Sequence, residues 1–304
     1  MYKRQTQTAV KKGESRRGER KPPWLKTTIR TGDNFRELKK MVGEGNLHTV
    51  CEEALCPNIY ECWERRSATL MILGDVCTRS CGFCGVTTGR PDWHDPDEPR
   101  RTALAVHQMG LKHCVITSVN RDELPDSGAA IWAETIREIH RTTPRCTVEV
   151  LIPDMRNEDA PLRTVFSAWP EILGHNMETV EHLYPEVRPQ ARYDWSLDVL
   201  RKSKSFGLRT KTAFMLGIGE RAEEVFPLME DIAATGCDIL AIGQYLQPTK
   251  RHQPVDRYVH PDEFEVYRKA GLELGIGWVE AGPLVRSSYH ADEQATMNAT
   301  PLHV

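Results

Sequence analysis

From residue 69 onward, short apolar runs alternate with longer amphipathic stretches. The runs TLMILGDV (69–76), KHCVITSV (112–119), CTVEVLIP (146–153), TKTAFMLGI (210–218) and DILAIGQYL (238–246) are of strand length, and a weaker one, WPEILGHN (169–176), falls between the third and fourth. Most are rich in Val, Ile and Thr, as strands covered on both faces should be. Between them GAAIWAETIREIHRTT (128–143), SLDVLRKSKSFG (196–207) and AEEVFPLMEDIAATG (222–236) repeat apolar residues at helical spacing. Two of these end at glycine, a common helix terminus. Six strands alternating with helices predict βαβ units and a parallel sheet, an α/β fold. Right-handed crossovers would curl it into a partial (β/α)6 TIM-like barrel. A flat doubly wound sheet has nearly the same periodicity, and the pattern alone does not choose.

Polar residues gather where the runs stop. DVCTRSC follows the first run, NRDELPDSG the second, HNMETV the fourth, GIGE the fifth and QPT the sixth. In a barrel these ends share one face, and a site is expected there.

Composition adds bounds. The chain has 304 residues, 39% hydrophobic and 27% charged, enough for a full core in an ordinary globular protein. A net charge of −3 gives no argument for a nucleic-acid or membrane partner, and no apolar run reaches the roughly 20 residues of a membrane span. Residues 1–22 are basic and polar, unlike a secretory signal, and are expected to form a disordered arm. Nine cysteines without such a signal point to a reducing compartment, the cytoplasm, where clustered thiols bind metal more often than they form disulfides. Cys114, Cys146 and Cys237 stand alone in apolar surroundings and read as small core residues. The other six lie between Cys51 and Cys84.

Cys77, Cys81 and Cys84 (C-x3-C-x2-C) fall on the loop after the first run. Three thiolates can hold three irons of a [4Fe–4S] cubane and leave the fourth iron open for chemistry. Zinc accepts the same soft ligands but usually adds a second cysteine pair or two histidines, and only His94 follows nearby. Cys51, Cys56 and Cys62 (C-x4-C-x5-C) form a second set of three before the first strand. A cluster there would need its fourth ligand from elsewhere in the chain.

The C-x3-C-x2-C spacing, with Phe83 before the last cysteine, resembles the signature of the radical S-adenosylmethionine enzymes. The resemblance implies that the cofactor's amine and carboxylate chelate the open iron, and that one electron then releases a 5′-deoxyadenosyl radical. Phe83, the HNMETV residues Asn176 and Glu178, and the GIGE residues Gly217 and Gly219 are the expected cofactor contacts. A Gly-x-Gly by itself is more often a turn after a strand.

Both triplets in this order, with KPPWLK (21–26), FCGVTTGRP (83–91), TSVNRDELPD (117–126), MLGIGE (215–220) and GPLVRSSYHA (282–291), resemble the lipoyl synthase family from about residue 21 to 291. In that family the second serine of RSSY, here Ser288, is the fourth ligand of the auxiliary cluster. Arg286 is expected to position that serine or to pair with a carboxylate near the cluster. The resemblance implies a sulfurtransferase that inserts two sulfur atoms at C6 and C8 of an octanoyl chain carried on a protein lysine. Alkane C–H bonds are neither acidic nor electrophilic, so a radical is needed to activate them. The implied cofactors are two [4Fe–4S] clusters and S-adenosylmethionine. The implied partners are a lipoyl-carrier domain (a 2-oxoacid dehydrogenase E2 subunit or the glycine cleavage H protein), a ferredoxin or flavodoxin as electron donor, and an iron–sulfur carrier.

The expected division is an arm over 1–22, an auxiliary-cluster extension over 23–68, the barrel over 69–281 and a C-terminal extension with RSSY over 282–304. Several positions depart from the family pattern. Tyr60 stands for a glycine, which would refold the auxiliary loop, and Gly85 for an acidic residue. Asn120 and Ser127 stand for Asp and Gly, and Thr212-Ala213 for Ser-Gly, which would narrow the pocket. These departures keep open a divergent radical enzyme with an auxiliary cluster and a different substrate. An iron–sulfur sensor is the third reading; it would need a partner or nucleic-acid surface that the charge does not supply.

Overall fold

The computed structural model describes residues 20–27, 31–44, 48–53, 56–91 and 95–296, so most of the basic arm and His94 lie outside the described residues. Seven parallel strands follow one another in chain order: β1 (Ser67–Ile72), β2 (His113–Ser118), β3 (Thr147–Leu151), β4 (Ile172–Gly174), β5 (Thr210–Leu216), β6 (Ile239–Gln244) and β7 (Trp278–Gly282). One long helix separates each pair: α1 (Glu98–Gln108), α2 (Ala129–Thr142), α3 (Asp159–Phe166), α4 (Tyr193–Phe206), α5 (Ala222–Ala234) and α6 (Pro261–Glu273). A doubly wound sheet reverses its order at a switch point. This one never does. Its edges, β7 and the short antiparallel strand His48–Thr49 beside β1, do not pair with each other, which leaves the barrel open.

Every residue of β1 and β6 is buried, because helices cover one face and the barrel interior the other. That double burial is why these strands read as continuous apolar runs. β7 was not among the six expected strands. It is an edge strand with only Val279 buried, so its sequence WVEAG carries no apolar run. The first strand begins at Ser67, two residues before the expected boundary.

Two apolar cores stand behind the sheet. One packs β1–β3 against α1–α3 and reaches into the N-terminal extension through Leu38 and Trp63; the other packs β5–β7 against α5 and α6. Cys114, Cys146 and Cys237 are buried free thiols in this framework. A buried polar cluster lies at the N-terminal end of the barrel. Lys211 Nζ meets Glu149 at 2.8 and 3.1 Å, and His113 Nε2 stands 3.7 Å from the same carboxylate. Among the described residues no helix is long and apolar enough to cross a membrane.

The extensions meet each other, Asn58 reaching Leu284 and Arg65 reaching Asp292 and Glu293. The N-terminal one is built from helices Asp33–Glu44, Val50–Glu53 and Ile59–Glu64, and the C-terminal one ends in the short α7 (Ala291–Ala295). Tyr60 packs its ring on Phe35, with centroids 5.0 Å apart, so it serves the core of the extension.

Candidate active site

The loop after β1 is fastened to the ends of its neighbours. Arg79, between Cys77 and Cys81, is 4% exposed and forks onto two acids that follow β2 and β3. Its Nε and Nη2 reach Asp122 at 2.7 and 2.9 Å, and its Nη1 and Nη2 reach Asp154 at 2.7 Å each. Burial pushes the Asp154 carboxyl up, but the hydrogen bonds and charge of Arg79 outweigh it and hold the group below the usual range. The backbone N–H groups of Arg79 and Asn120 donate to Cys77 Sγ at 3.4 and 3.3 Å. Further on, the Gly82 N–H donates to the Val187 carbonyl at 2.9 Å, and His252 Nε2 lies 2.9 Å from the Cys84 carbonyl.

The segment after β4 brings up the polar wall. Glu178 sits at φ +66°, an uncommon conformation for a side-chain-bearing residue. Its backbone bridges to β5 through Ala213 (3.0 Å) and Met215 (2.8 Å). Asn176 Nδ2 donates to Glu178 Oε1 at 3.0 Å, and Arg188 Nη1 donates to the Asn176 carbonyl at 2.9 Å. Burial pushes the Glu178 carboxyl up, against the pull of Arg188 and Asn176. Behind them His175 is held between the Ile152 carbonyl (2.9 Å) and Ser196 Oγ (3.0 Å). Burial, reinforced by the Arg188 charge, lowers its pKa to about 4, so the ring is neutral at pH 7.

The surroundings of the second triplet are assembled from both extensions. Cys51, Cys56 and Cys62 surround a small hollow with Ser67 and Thr69 of β1 and with Arg286, Ser288 and Tyr289 from the far end of the chain. The RSSY segment reaches this place because Gly243 in β6 has no side chain: a Cβ there would stand 2.1 Å from the Val285 carbonyl oxygen. Asn58 Nδ2 fixes the same segment by donating to the Leu284 carbonyl at 2.7 Å. Burial pushes the Cys51 thiol up to about 11, with Cys56 adding to the effect, and pushes Cys56 and Cys62 up as well. In the first set burial pushes Cys81 up and Cys84 up to about 12. Thiols so poised keep their protons at neutral pH and give them up on binding metal.

Both triplets open on one cavity of about 370 Å³ at the C-terminal ends of the strands. Its wall includes Cys51 and Cys56 of one set, Cys77, Cys81 and Cys84 of the other, and Phe83, Asn176, Glu178, Arg188, Arg286 and Ser288. Met71, Leu151, Ala213, Met215, Ala241 and Val285 make much of the rest apolar. Cys62 lines only the adjoining hollow.

Several expectations are corrected in detail. Gly217 and Gly219 do not line the cavity. Gly217 makes a tight turn at φ +87°, and a Cβ there would meet the Arg257 carbonyl at 2.2 Å. Thr212 does not narrow the cavity either, since it is buried and its Oγ1 accepts the Met177 N–H at 3.2 Å; Ala213 does line it. Arg286 has no carboxylate partner among the described residues; it donates to the Val285 carbonyl at 2.6 Å and lies beside Cys56. Tyr289 stacks on His290 with centroids 3.9 Å apart and points its hydroxyl at Glu61, 3.3 Å away.

Arg79, Asp154 and Arg188 were not singled out in the sequence. The third run was the one to which no polar end was assigned, yet it stops at Pro153-Asp154, and the same rule would have found it. Arg188, in the irregular stretch EVRPQ, gives no such signal.

Orphaned polar atoms test whether the implied groups fit. The buried Asn176 Oδ1 and Arg188 Nε have no hydrogen-bond partner among the described residues, and their residues line the cavity. An acceptor and a donor of this kind suit an ammonium and a carboxylate. The buried Trp63 indole lies beside Cys51, where its N–H favours the thiolate. Among the described residues no three His, Cys, Asp or Glu side chains converge tightly enough to share one metal ion. A cubane needs a wider triangle, because each thiolate holds a different iron.

Fold comparison gives the architecture. Methylornithine synthase is 14% identical with a TM-score of 0.53 over 70% of each chain. The maturase of the [FeFe]-hydrogenase is 13% identical with a TM-score of 0.54, over 96% of this chain and 73% of that one. The family model of the Radical SAM superfamily matches residues 71–232, so the open parallel barrel with three thiols on its first loop is a radical S-adenosylmethionine domain. A second family model, the N-terminal domain of lipoyl synthase, matches residues 2–56. Lipoyl synthase of Rubrobacter xylanophilus is 57% identical over 276 residues, 90% of this chain and 86% of that protein. That of Bacillus subtilis is 54% identical over 278 residues, 90% and 93%. The chain belongs to the lipoyl synthase family.

Proposed function

We infer that this chain is a radical S-adenosylmethionine sulfurtransferase that inserts two sulfur atoms at C6 and C8 of a protein-bound octanoyl-lysine, making the lipoyl cofactor. The observation that carries the reading is the pair of three-cysteine sets on one largely apolar cavity, with Ser288 beside the second.

Cys77, Cys81 and Cys84 would hold the first [4Fe–4S] cluster, and Cys51, Cys56, Cys62 and Ser288 the auxiliary one. When bound, the first cluster with S-adenosylmethionine supplies a carbon radical able to take hydrogen from an unactivated C–H bond, and the auxiliary cluster supplies sulfur. The remaining work falls to the chain. Asn176, Glu178 and Arg188 present an acceptor, a carboxylate and a guanidinium to the methionyl end of the cofactor, and Phe83 flanks it. Ala213, Met215, Ala241 and Val285 receive the alkyl chain and exclude water, which a carbon radical otherwise meets on its way to its target. Ser288 gives a hard oxygen donor among soft thiolates, the easiest of the four to release. Arg286 lies beside Cys56 on the cavity wall as a positioning residue.

The partner is a lipoyl-carrier protein. Within that class we propose a 2-oxoacid dehydrogenase E2 subunit or the glycine cleavage H protein, with a ferredoxin or flavodoxin as electron donor and an iron–sulfur carrier to rebuild the auxiliary cluster. The nine free thiols suit the cytoplasm.

The test is iron and acid-labile sulfide per chain after anaerobic reconstitution, on the wild type and on a Cys51/Cys56/Cys62→Ala variant. About eight irons should fall to about four. The variant should still cleave S-adenosylmethionine but form no lipoyl product from an octanoyl-lysyl peptide. A wild type holding only four irons refutes the auxiliary site.

A further inference from the structure

The proposed ligand set includes a residue far along the chain from its three cysteines, and something has to hold its segment in place. α7 has only five residues, too few to be stable as a helix without outside contacts. Some of those contacts are its own packing, since Ala291 and Gln294 are fully buried and Arg209 Nη1 donates to the Gln294 carbonyl at 3.4 Å; the others come from the segment that carries Cys56 and Cys62. Arg65, three residues after Cys62, places Nη2 2.7 Å from Asp292 Oδ2 and 2.7 Å from Glu293 Oε1. Both acids lie on α7, just after Ser288. On the other side of Ser288, Asn58 holds the Leu284 carbonyl at 2.7 Å. The serine is therefore bracketed by two contacts, each reaching back to the cysteine-bearing segment.

We propose that Arg65 is a positioning residue: by clasping Asp292 and Glu293 it holds Ser288 against Cys51, Cys56 and Cys62. The inference rests on the reading of Ser288 as the fourth ligand of the auxiliary cluster. Arg65 makes no hydrogen bond to a cysteine among the described residues, though its charge favours the Cys62 thiolate; the Asp292→Asn/Glu293→Gln variant leaves that charge in place and so isolates the action through the terminal segment. Its guanidinium is one-third exposed, at 34%, against 32% and 47% for the two acids. The clasp is therefore weak enough to open in turnover and is sensitive to salt. Tyr289 and His290, at 3.3 and 3.5 Å from Glu61, are secondary contacts of the same segment.

The experiment follows release of iron to a ferrous chelator from the anaerobically reconstituted full-length protein. Release from the Cys51/Cys56/Cys62→Ala variant supplies the contribution of the other cluster and is subtracted. Arg65→Ala should speed auxiliary iron release about fivefold, the range for two partly exposed ion pairs sharing one guanidinium. Salt should speed release from the wild type and leave Arg65→Ala nearly unchanged. Asp292→Asn/Glu293→Gln removes the same clasp from the surface side, without touching the cysteine helix, and should match Arg65→Ala. Ser288→Ala should release faster still, and adding Arg65→Ala to it should change nothing.

Two results overturn the clasp and leave the serine reading standing. One is fast release from Ser288→Ala with wild-type release from both clasp variants. The other is an additive effect of Arg65→Ala on the Ser288→Ala background, which would make Arg65 a general stabiliser. Wild-type release from Ser288→Ala would instead refute Ser288 as a ligand, and the clasp would fall with it.

Discussion

Replacing Arg79 with Met tests whether the first cysteine loop is locked by a buried charge cluster. The substitution keeps an unbranched stem and removes the guanidinium that joins Asp122 and Asp154. Asp154 is fully buried, while the Asp122 side chain is 27% exposed. Removing one partner of a buried ion pair costs about 3–5 kcal/mol, because the other charge is left uncompensated. An exposed partner adds only about 0–1 kcal/mol. Asp154 keeps one donor, the Arg156 N–H at 3.0 Å, so the lower end of that range applies, about 3 kcal/mol. Urea unfolding of the cluster-free chain under reductant should show this loss at pH 7. The pH dependence has a definite sign. In the wild type the lowered pKa of Asp154 contributes stability above its unfolded value of about 3.9, and that contribution fades as pH falls. In the variant burial acts unopposed, so protonating Asp154 relieves the chain and the gap to the wild type narrows in acid. Adding Asp154→Asn should recover part of the loss at pH 7. A loss under about 1 kcal/mol, or no recovery in the double variant, would refute the lock.

Three further outcomes are expected. His175, with its pKa lowered to about 4 against about 6.5 unfolded, should cost the wild type about 3 kcal/mol of stability as pH falls from 6.5 to 4; His175→Gln should flatten unfolding curves over that window. Arg79, Arg188 and Asp154 are the charges that face it, and the first two oppose its protonation. Lys211→Met should strand Glu149 at the barrel floor and cost about 3–5 kcal/mol in thermal or urea unfolding, with iron per reconstituted chain unchanged because the pair lies outside the cavity wall. Gly243→Ala should displace the Val285 carbonyl and lower auxiliary iron while leaving the first cluster loaded; unchanged iron would show that the RSSY segment does not depend on this close approach.

The fold was legible wherever strands are buried on both faces, as in β1 and β6, since such strands must be apolar throughout. β7 escaped because an edge strand can carry Trp278 and Glu280 half exposed. Curvature escaped for a different reason: barrel and flat sheet share a periodicity, and only the unbroken strand order separates them. The cysteines were legible because clustered thiols are rare in a reducing compartment and their spacing is short. Arg79 and Arg188 were not, because an arginine's burial depends on partners such as Asp154 and the Asn176 carbonyl that arrive from other strands. The GIGE glycines could not be assigned a role from sequence, because a turn after a strand needs glycine whether or not a ligand is near. Gly217 is fixed by backbone crowding against Arg257.

The two thiol sets also differ in how strongly they are held, and the difference follows the chemistry proposed for each. The set that would bind and rebind a cofactor lies within eight residues and is fastened by Arg79, at 4% exposure, to fully buried Asp154. Undoing that contact strands a charge in the interior, so the loop keeps one geometry. The other set takes its fourth proposed donor from far along the chain, on the turn just before a five-residue helix whose ion pairs to Arg65 have side chains 32–47% exposed. Water replaces such contacts at little cost. A cluster that gives up its sulfur has to part from at least one ligand, and the proposed one is the oxygen donor whose segment is tied to the cysteine set by partly exposed ion pairs rather than by a buried charge. Stronger contacts around α7 would keep Ser288 in place longer and slow the step that needs it to leave.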